Sequence, residues 1–190
     1  MRGGGGVIGC IGVALDITVR KPTEEEIRYQ ATHDGLTGLA NYREFVGDLE
    51  GEVRRADRSG HTFGLLLSDL DRLKMINDRL GLLAGNRALK LLALVMKDNS
   101  RATDISARYG GDEFAILLID VGFQMSGEVA NRIPDSLRGE STAIPLTVSI
   151  GAAVYSQDGS NAQELLEIAD RRLYVDKKSA LERFQAVAAA

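Results

Sequence analysis

The stretch Ile105-Ser106-Ala107-Arg108-Tyr109-Gly110-Gly111-Asp112-Glu113-Phe114-Ala115-Ile116-Leu117-Leu118-Ile119 decides how this chain reads. Ile105 to Tyr109 and Glu113 to Ile119 are two short β-type runs parted by Gly110-Gly111-Asp112. Two glycines between such runs predict a tight hairpin, because a type I′ turn needs positive φ. Upstream, Phe63 to Leu70 is a mostly apolar run between Gly60 and a pair of aspartates, and reads as a buried strand. Downstream, Ile144 to Val154 reads as another. Helical patterns fill the intervals. One is capped by Asn41, carries Phe45, Leu49, Val53 and Ala56 on its buried face, and ends at Gly60. Others span Lys74 to Leu80 and Leu83 to Lys97, the latter with Leu89, Leu92, Ala93 and Met96 on one side. A further helix covers Gly127 to Leu137, and a capping box of Ser160 and Gln163 starts a last one that reaches Lys178. From the first strand the order is β-α-α-β-β-α-β-α. A hairpin in the middle of that order predicts a mixed α/β sheet covered by helices and excludes a doubly wound one.

The composition of the 190 residues is that of a globular protein, with 44% hydrophobic and 26% charged residues. It excludes a disordered tail, a collagen-like repeat and a disulfide-built miniprotein. With Lys+Arg 23 against Asp+Glu 27, the net charge of -4 gives no global attraction to nucleic acid or to an anionic membrane, so neither is expected as a partner. Cys10 is the only cysteine, which leaves no internal disulfide and predicts a cytoplasmic setting.

The beginning of the chain reads differently. Four glycines precede the apolar run Val7 to Leu15, whose nine residues fall well short of the roughly 20 that span a bilayer. No A-x-A cleavage site follows it, which argues against a signal peptide. Val7, Ile8, Ile11, Val13, Leu15 and Ile17 read instead as a glycine-broken β-strand. Gly12-Val13-Ala14-Leu15-Asp16-Ile17-Thr18-Val19-Arg20-Lys21 resembles the last strand and exit of a PAS sensor domain. Residues 1–21 are therefore expected to be the C-terminal remnant of such a domain in a longer protein. A capping box of Thr23 and Glu26 predicts a helix to Thr32. Residues 22–32 then form either a signalling linker or a plain solvated helix.

Two acidic clusters stand at strand ends: Asp69-Leu70-Asp71, and Asp112-Glu113 at the hairpin tip. Carboxylates beside glycine backbone suit Mg²⁺, which takes one or two carboxylates together with phosphate oxygens. Two such ions can serve phosphoryl or nucleotidyl transfer. The plain alternative is solvated acids in turns.

Arg108-Tyr109-Gly110-Gly111-Asp112-Glu113-Phe114 contains the signature of the GGDEF, or diguanylate cyclase, family, and the chain resembles that family in several further motifs. Asp34-Gly35-Leu36-Thr37-Gly38-Leu39 with Asn41 and Phe45 resembles its opening. Asp69-Leu70-Asp71 with Lys74, Asn77 and Asp78 resembles its first acidic motif. Thr147-Val148-Ser149-Ile150-Gly151 and Ala169-Asp170 with Leu173, Tyr174 and Lys177 resemble its closing strand and helix. The resemblance runs from about Ala31 to Lys178, and residues 33–184 are assigned to the domain.

The resemblance implies a palm-like mixed sheet, as in nucleotidyl cyclases. It implies condensation of two GTP into cyclic di-GMP and pyrophosphate by two domains facing one another as a homodimer. Asp69 and Asp112, with the Leu70 carbonyl, would bind Mg²⁺ or Mn²⁺. Glu113 would be a further ligand or assist deprotonation. Lys74 and Lys177 would hold the terminal phosphates. Gly110 and Gly111 would admit the nucleotide to the hairpin backbone, and Asn77 would hydrogen-bond guanine. Arg101-Ala102-Thr103-Asp104 has the offset of the family's inhibitory site, where cyclic di-GMP binds; Arg132 is either its second arginine or an ordinary surface residue.

The chain also departs from the pattern. The family's Gly-His-x-x-Gly-Asp is here Gly81-Leu82-Leu83-Ala84-Gly85-Asn86, and Asn86 cannot accept from both guanine donors as a carboxylate would. Leu73 replaces a usual phenylalanine. After Lys177 the phosphate-binding arginine is missing from register, with Lys178 or Arg183 as substitutes. A second function therefore stands beside the cyclase: a degenerate domain that binds GTP or cyclic di-GMP and regulates a neighbour. His33 and His61 read as surface residues, Leu173 and Tyr174 as core.

Overall fold

A computed structural model describes residues 23–139 and 145–188. In chain order the elements are α1 (Glu24–Thr32), β1 (Ala40–Asn41), α2 (Tyr42–Ser59), β2 (Gly64–Leu70), α3 (Leu73–Leu80), α4 (Leu82–Asp98), β3 (Ile105–Arg108), β4 (Glu113–Leu118), α5 (Phe123–Arg138), β5 (Val148–Val154) and α6 (Ala162–Ala188). The expected PAS remnant lies outside the described residues. The strands form one mixed sheet in the order β1-β3-β4-β2-β5, with the β3–β4 hairpin inside it. β2 runs antiparallel to β4 and β5, and all seven of its residues are buried.

Strand alternation sends successive side chains to opposite faces and so builds two cores. Leu66 and Leu70 of β2, with Phe114, Ile116 and Leu118 of β4, meet α3, α4 and α5. Leu65 and Leu67, with Ala115 and Leu117, meet α2 and α6. On β5, Gly151 is the point of closest helix approach. A Cβ there would stand 2.0 Å from the Ala169 carbonyl oxygen and 2.3 Å from the Leu173 nitrogen, so only glycine lets α6 lie this close.

The outer edge of β5 is occupied by side chains. Asp176 accepts from the Ile150 N–H at 2.9 Å, Arg172 donates to the Ala152 carbonyl at 2.6 Å, and Asp158 accepts from the Val154 N–H at 2.8 Å. The opposite edge is β1, two residues long.

Local signals behave as sequence predicts at the early helices. Thr23 and Glu26 form the reciprocal capping box, and Asn41 accepts from the Glu44 N–H at 3.0 Å. Elsewhere the structure corrects them. The hairpin is not a type I′ turn: neither Gly110 nor Gly111 has positive φ. The loop between the paired Arg108 and Phe114 is wider, closed by the Tyr109 and Gly110 N–H groups both donating to the Glu113 carbonyl. The last helix is capped by Asn161, whose Oδ1 accepts from the Glu164 N–H, while Glu164 reaches back to Ser160. That helix runs ten residues past Lys178, to Ala188. Tyr174 is 57% exposed and no core residue; its ring lies under the Lys178 ammonium. His61 is no plain surface residue either. It bonds Glu52, which α2 buries on its apolar face.

Candidate functional site

β2 ends and β4 begins at the same end of the sheet. In the register Asp69 pairs with Glu113 on one side and Ser149 on the other. The Leu70 N–H donates to the Asp112 carbonyl at 3.0 Å, which ties the acidic strand end to the hairpin tip. Asp71 is fixed by its N–H to the Thr147 carbonyl and by the Ser149 hydroxyl, which donates to its carboxylate at 2.7 Å. From α6, Lys177 places its ammonium 2.7 Å from Asp69 Oδ2. Asp69 is 7% exposed. Burial pushes its carboxyl up to about 6; Lys177 opposes the rise, and Asp112 and Asp71 add to it.

The hairpin tip is held from outside. Arg108 donates to both Asp34 oxygens at 3.1 and 3.2 Å and to the Gly111 carbonyl at 2.6 and 3.2 Å. Burial acts to raise the Asp34 carboxyl, but hydrogen bonds from Thr37 and the Arg108 charge outweigh it and keep it below the ordinary value. Asp34 and Arg108 lie inside two motifs visible in the sequence, yet nothing there assigned them to one another. Their sequence separation hides a pairing that the sheet makes. The space around Gly110 is filled by Glu113, whose Oε2 would be 2.6 Å from a Cβ at that position. At Gly111 a Cβ would meet no atom within 4 Å.

α3 and α4 supply the third side. Lys74 is exposed on α3 and Asn86 on the second turn of α4. Asn77 Oδ1 is a buried acceptor with no hydrogen bond among the described residues. It sits against Gly85, where a Cβ would approach it to 1.9 Å. A buried acceptor without a partner is costly, which singles this amide out among the side chains of α3.

The three residues of the expected inhibitory site lie away from this end. β3 runs from Ile105, opposite Leu117, to Arg108, opposite Phe114, so Arg101 and Asp104 precede its far end. Asp104 accepts from the Arg101 N–H at 2.7 Å and the Ile119 N–H at 3.0 Å. Arg132 of α5 binds the Asn99 side chain at 2.7 Å and its carbonyl at 3.1 Å, close in sequence to the same turn.

Among the described residues no three carboxylate, imidazole or thiol side chains converge on a common metal position. Asp69, Asp112 and the Leu70 carbonyl are hard oxygen donors. Two carboxylates suffice for Mg²⁺, which completes its shell with phosphate oxygens and water. Burial is the main cause of the raised Asp69 carboxyl, and the neighbouring Asp112 and Asp71 charges add to it. The donor set fits such an ion.

Comparison with known proteins places the chain in a family. The family described as "Diguanylate cyclase, GGDEF domain" matches residues 31–183. The diguanylate cyclase TpbB of Pseudomonas aeruginosa is 35% identical over 163 residues, covering 81% of this chain and 37% of that protein. The response regulator PleD of Caulobacter vibrioides is 35% identical over 156 residues, covering 78% and 34%. The chain thus spans little more than a third of the length of these relatives. Among solved structures, the coiled coil and GGDEF domain of DgcB from Caulobacter crescentus, in complex with c-di-GMP, superposes with a TM-score of 0.77 at 28% identity, covering 82% of this chain and 85% of that one.

Proposed function

The chain belongs to the diguanylate cyclase GGDEF family, and from that premise we propose that it condenses two GTP into cyclic di-GMP with release of two pyrophosphates. The observation that carries this reading is the convergence of Asp69, Asp112, Glu113 and Lys177 on one end of the sheet, with Lys177 bonded to Asp69 at 2.7 Å. Two copies of the chain face each other, one nucleotide on each. The 3′-oxygen of either nucleotide forms a bond to the α-phosphorus of the other, and the bond to pyrophosphate breaks. Glu113 accepts the 3′-hydroxyl proton. Lys177, and Lys74 from α3, neutralise the terminal phosphates. Asn77 and Asn86 bind the guanine edge through their amides. Mg²⁺ or Mn²⁺ held by Asp69, Asp112 and the Leu70 carbonyl supplies charge stabilisation of the α-phosphate when bound. Arg101, Asp104 and Arg132 form the site at which cyclic di-GMP inhibits.

Incubation of the purified chain with GTP and Mg²⁺, with the products separated chromatographically, tests this. Cyclic di-GMP is expected from the wild type and none from Asp112→Ala, whose altered side chain lies at a half-exposed tip outside both cores. The replacement of an acid by Asn86 supports the second reading, a nucleotide-binding regulatory domain. Tight GTP binding without product would establish that reading in place of the first.

A further inference from the structure

A trough of about 1100 Å³ opens beside Asp69 between α5 and α6. Both helices run toward the site end of the sheet. Arg138 is the last residue of α5, and Lys177 lies where α6 passes Asp69. Leu181 follows Lys177 by one turn on the same face of α6 and is 53% exposed. Beyond Lys177, then, the α6 wall of the trough consists of Ser179, Ala180 and Leu181 and offers an anion held at Lys177 no second cation. Across from it the α5 wall offers Arg138.

The other arginines of the trough are committed. Arg172 is held by both Asp158 oxygens and the Ala152 carbonyl, and Arg72 is engaged in an interaction of its own. Arg138 pairs with Asp135, one turn back, with both side chains mostly exposed. Exposed pairs of this kind contribute little, so the guanidinium can leave Asp135 at small cost. Its fork matches two phosphate oxygens at once. It also covers the negative end of the α5 dipole, which would otherwise repel an approaching anion.

We propose that Arg138 binds the terminal phosphates of the nucleoside triphosphate, reaching from α5 across the trough to the position where α6 presents Leu181. The assignment rests on the GTP-binding reading above and adds a phosphate-binding residue from a different helix. It makes Arg138 a determinant of triphosphate over monophosphate affinity.

Calorimetric titration of GTP and GMP, each with Mg²⁺, into wild type, Arg138→Ala, Arg138→Lys and Asp135→Ala tests it, with thermal melting to verify the fold. Arg138→Ala is expected to weaken GTP about tenfold and leave GMP unchanged, since one charge-assisted contact is lost from the tail alone. Arg138→Lys should recover part of the loss, and Asp135→Ala should bind GTP at least as well as wild type. Undiminished GTP affinity in Arg138→Ala, with affinity lost in Lys177→Ala, overturns the Arg138 assignment and leaves the GTP site standing. A wild-type chain that binds no GTP overturns both.

Discussion

Replacing Gly151 by alanine tests how packing sets the chemistry. The added Cβ would stand 2.0 Å from the Ala169 oxygen, 2.3 Å from the Leu173 nitrogen and 2.9 Å from the Leu173 Cα. All three are backbone atoms of α6, so no side chain can swing aside. Relief comes only if the helix retreats, by about 1.4 Å if the closest contact is to reach an ordinary 3.4 Å. Overpacking typically costs 1–3 kcal/mol, and a clash with rigid backbone belongs at the upper end, about 3 kcal/mol. In a domain of this size that lowers the melting temperature by roughly 6–12 °C. Lys177 lies one turn beyond Leu173, and its 2.7 Å contact to Asp69 opens as the helix moves. A misplacement of about 1 Å costs on the order of 10²-fold in rate, so cyclic di-GMP formation should fall far more than the unfolded fraction explains. Urea unfolding and initial rates on the same preparations measure both effects. An unchanged unfolding midpoint would refute the packing argument. A lowered midpoint with an unchanged rate would refute the link from α6 to Lys177.

Three other substitutions probe separate parts of the site. The folded chain holds a proton on Asp69 up to about pH 6, above the ordinary 3.8, so this group's stabilising contribution declines as pH rises between those values. Asp69→Asn should therefore melt above wild type near pH ~7.5 and level with it near pH ~4, while losing turnover; a constant difference across that range would refute the assignment. Arg108→Ala should destabilise by about 1–3 kcal/mol in urea, since Asp34 and the Gly111 carbonyl both lose a donor. Adding Asp34→Asn should then cost little more, whereas full additivity would separate the two residues. Asn86→Asp should raise GTP affinity about tenfold and leave ATP unimproved, as titration of both nucleotides will read; equal gains would mean that position 86 does not discriminate the base.

The strands of both cores were legible because their apolar runs sit between glycines and paired acids, and the tip of the hairpin advertised itself in Gly110-Gly111-Asp112-Glu113. What escaped depends on contacts between distant segments. Ala40 and Asn41 have no β-forming character, and they form a strand because β3 offers them a parallel partner. Glu52 occupies an apolar stripe because His61 and Arg55 meet it there. Tyr174 sits in a motif with Leu173, yet consecutive helical residues point about 100° apart and only Leu173 faces the core. Two glycines suggested a turn conformation that the longer Arg108 loop does not use. In the site, the two acidic clusters follow from residue type and position, whereas the Lys177–Asp69 contact and the Arg108 clamp follow only from how α6 and the segment before β1 pack onto the sheet.

The side chains along β5 bear on how two copies can meet. An open strand edge invites another strand, and a union made that way is as durable as the sheet itself. Here Asp176, Arg172 and Asp158 fill that edge, and the other edge is a two-residue stub. Encounters through the described residues are therefore confined to side-chain surfaces that separate without breaking a ladder. The condensation proposed above, in which each nucleotide is brought against a second copy and the product is then let go, would be served by partners that can part as readily as they join.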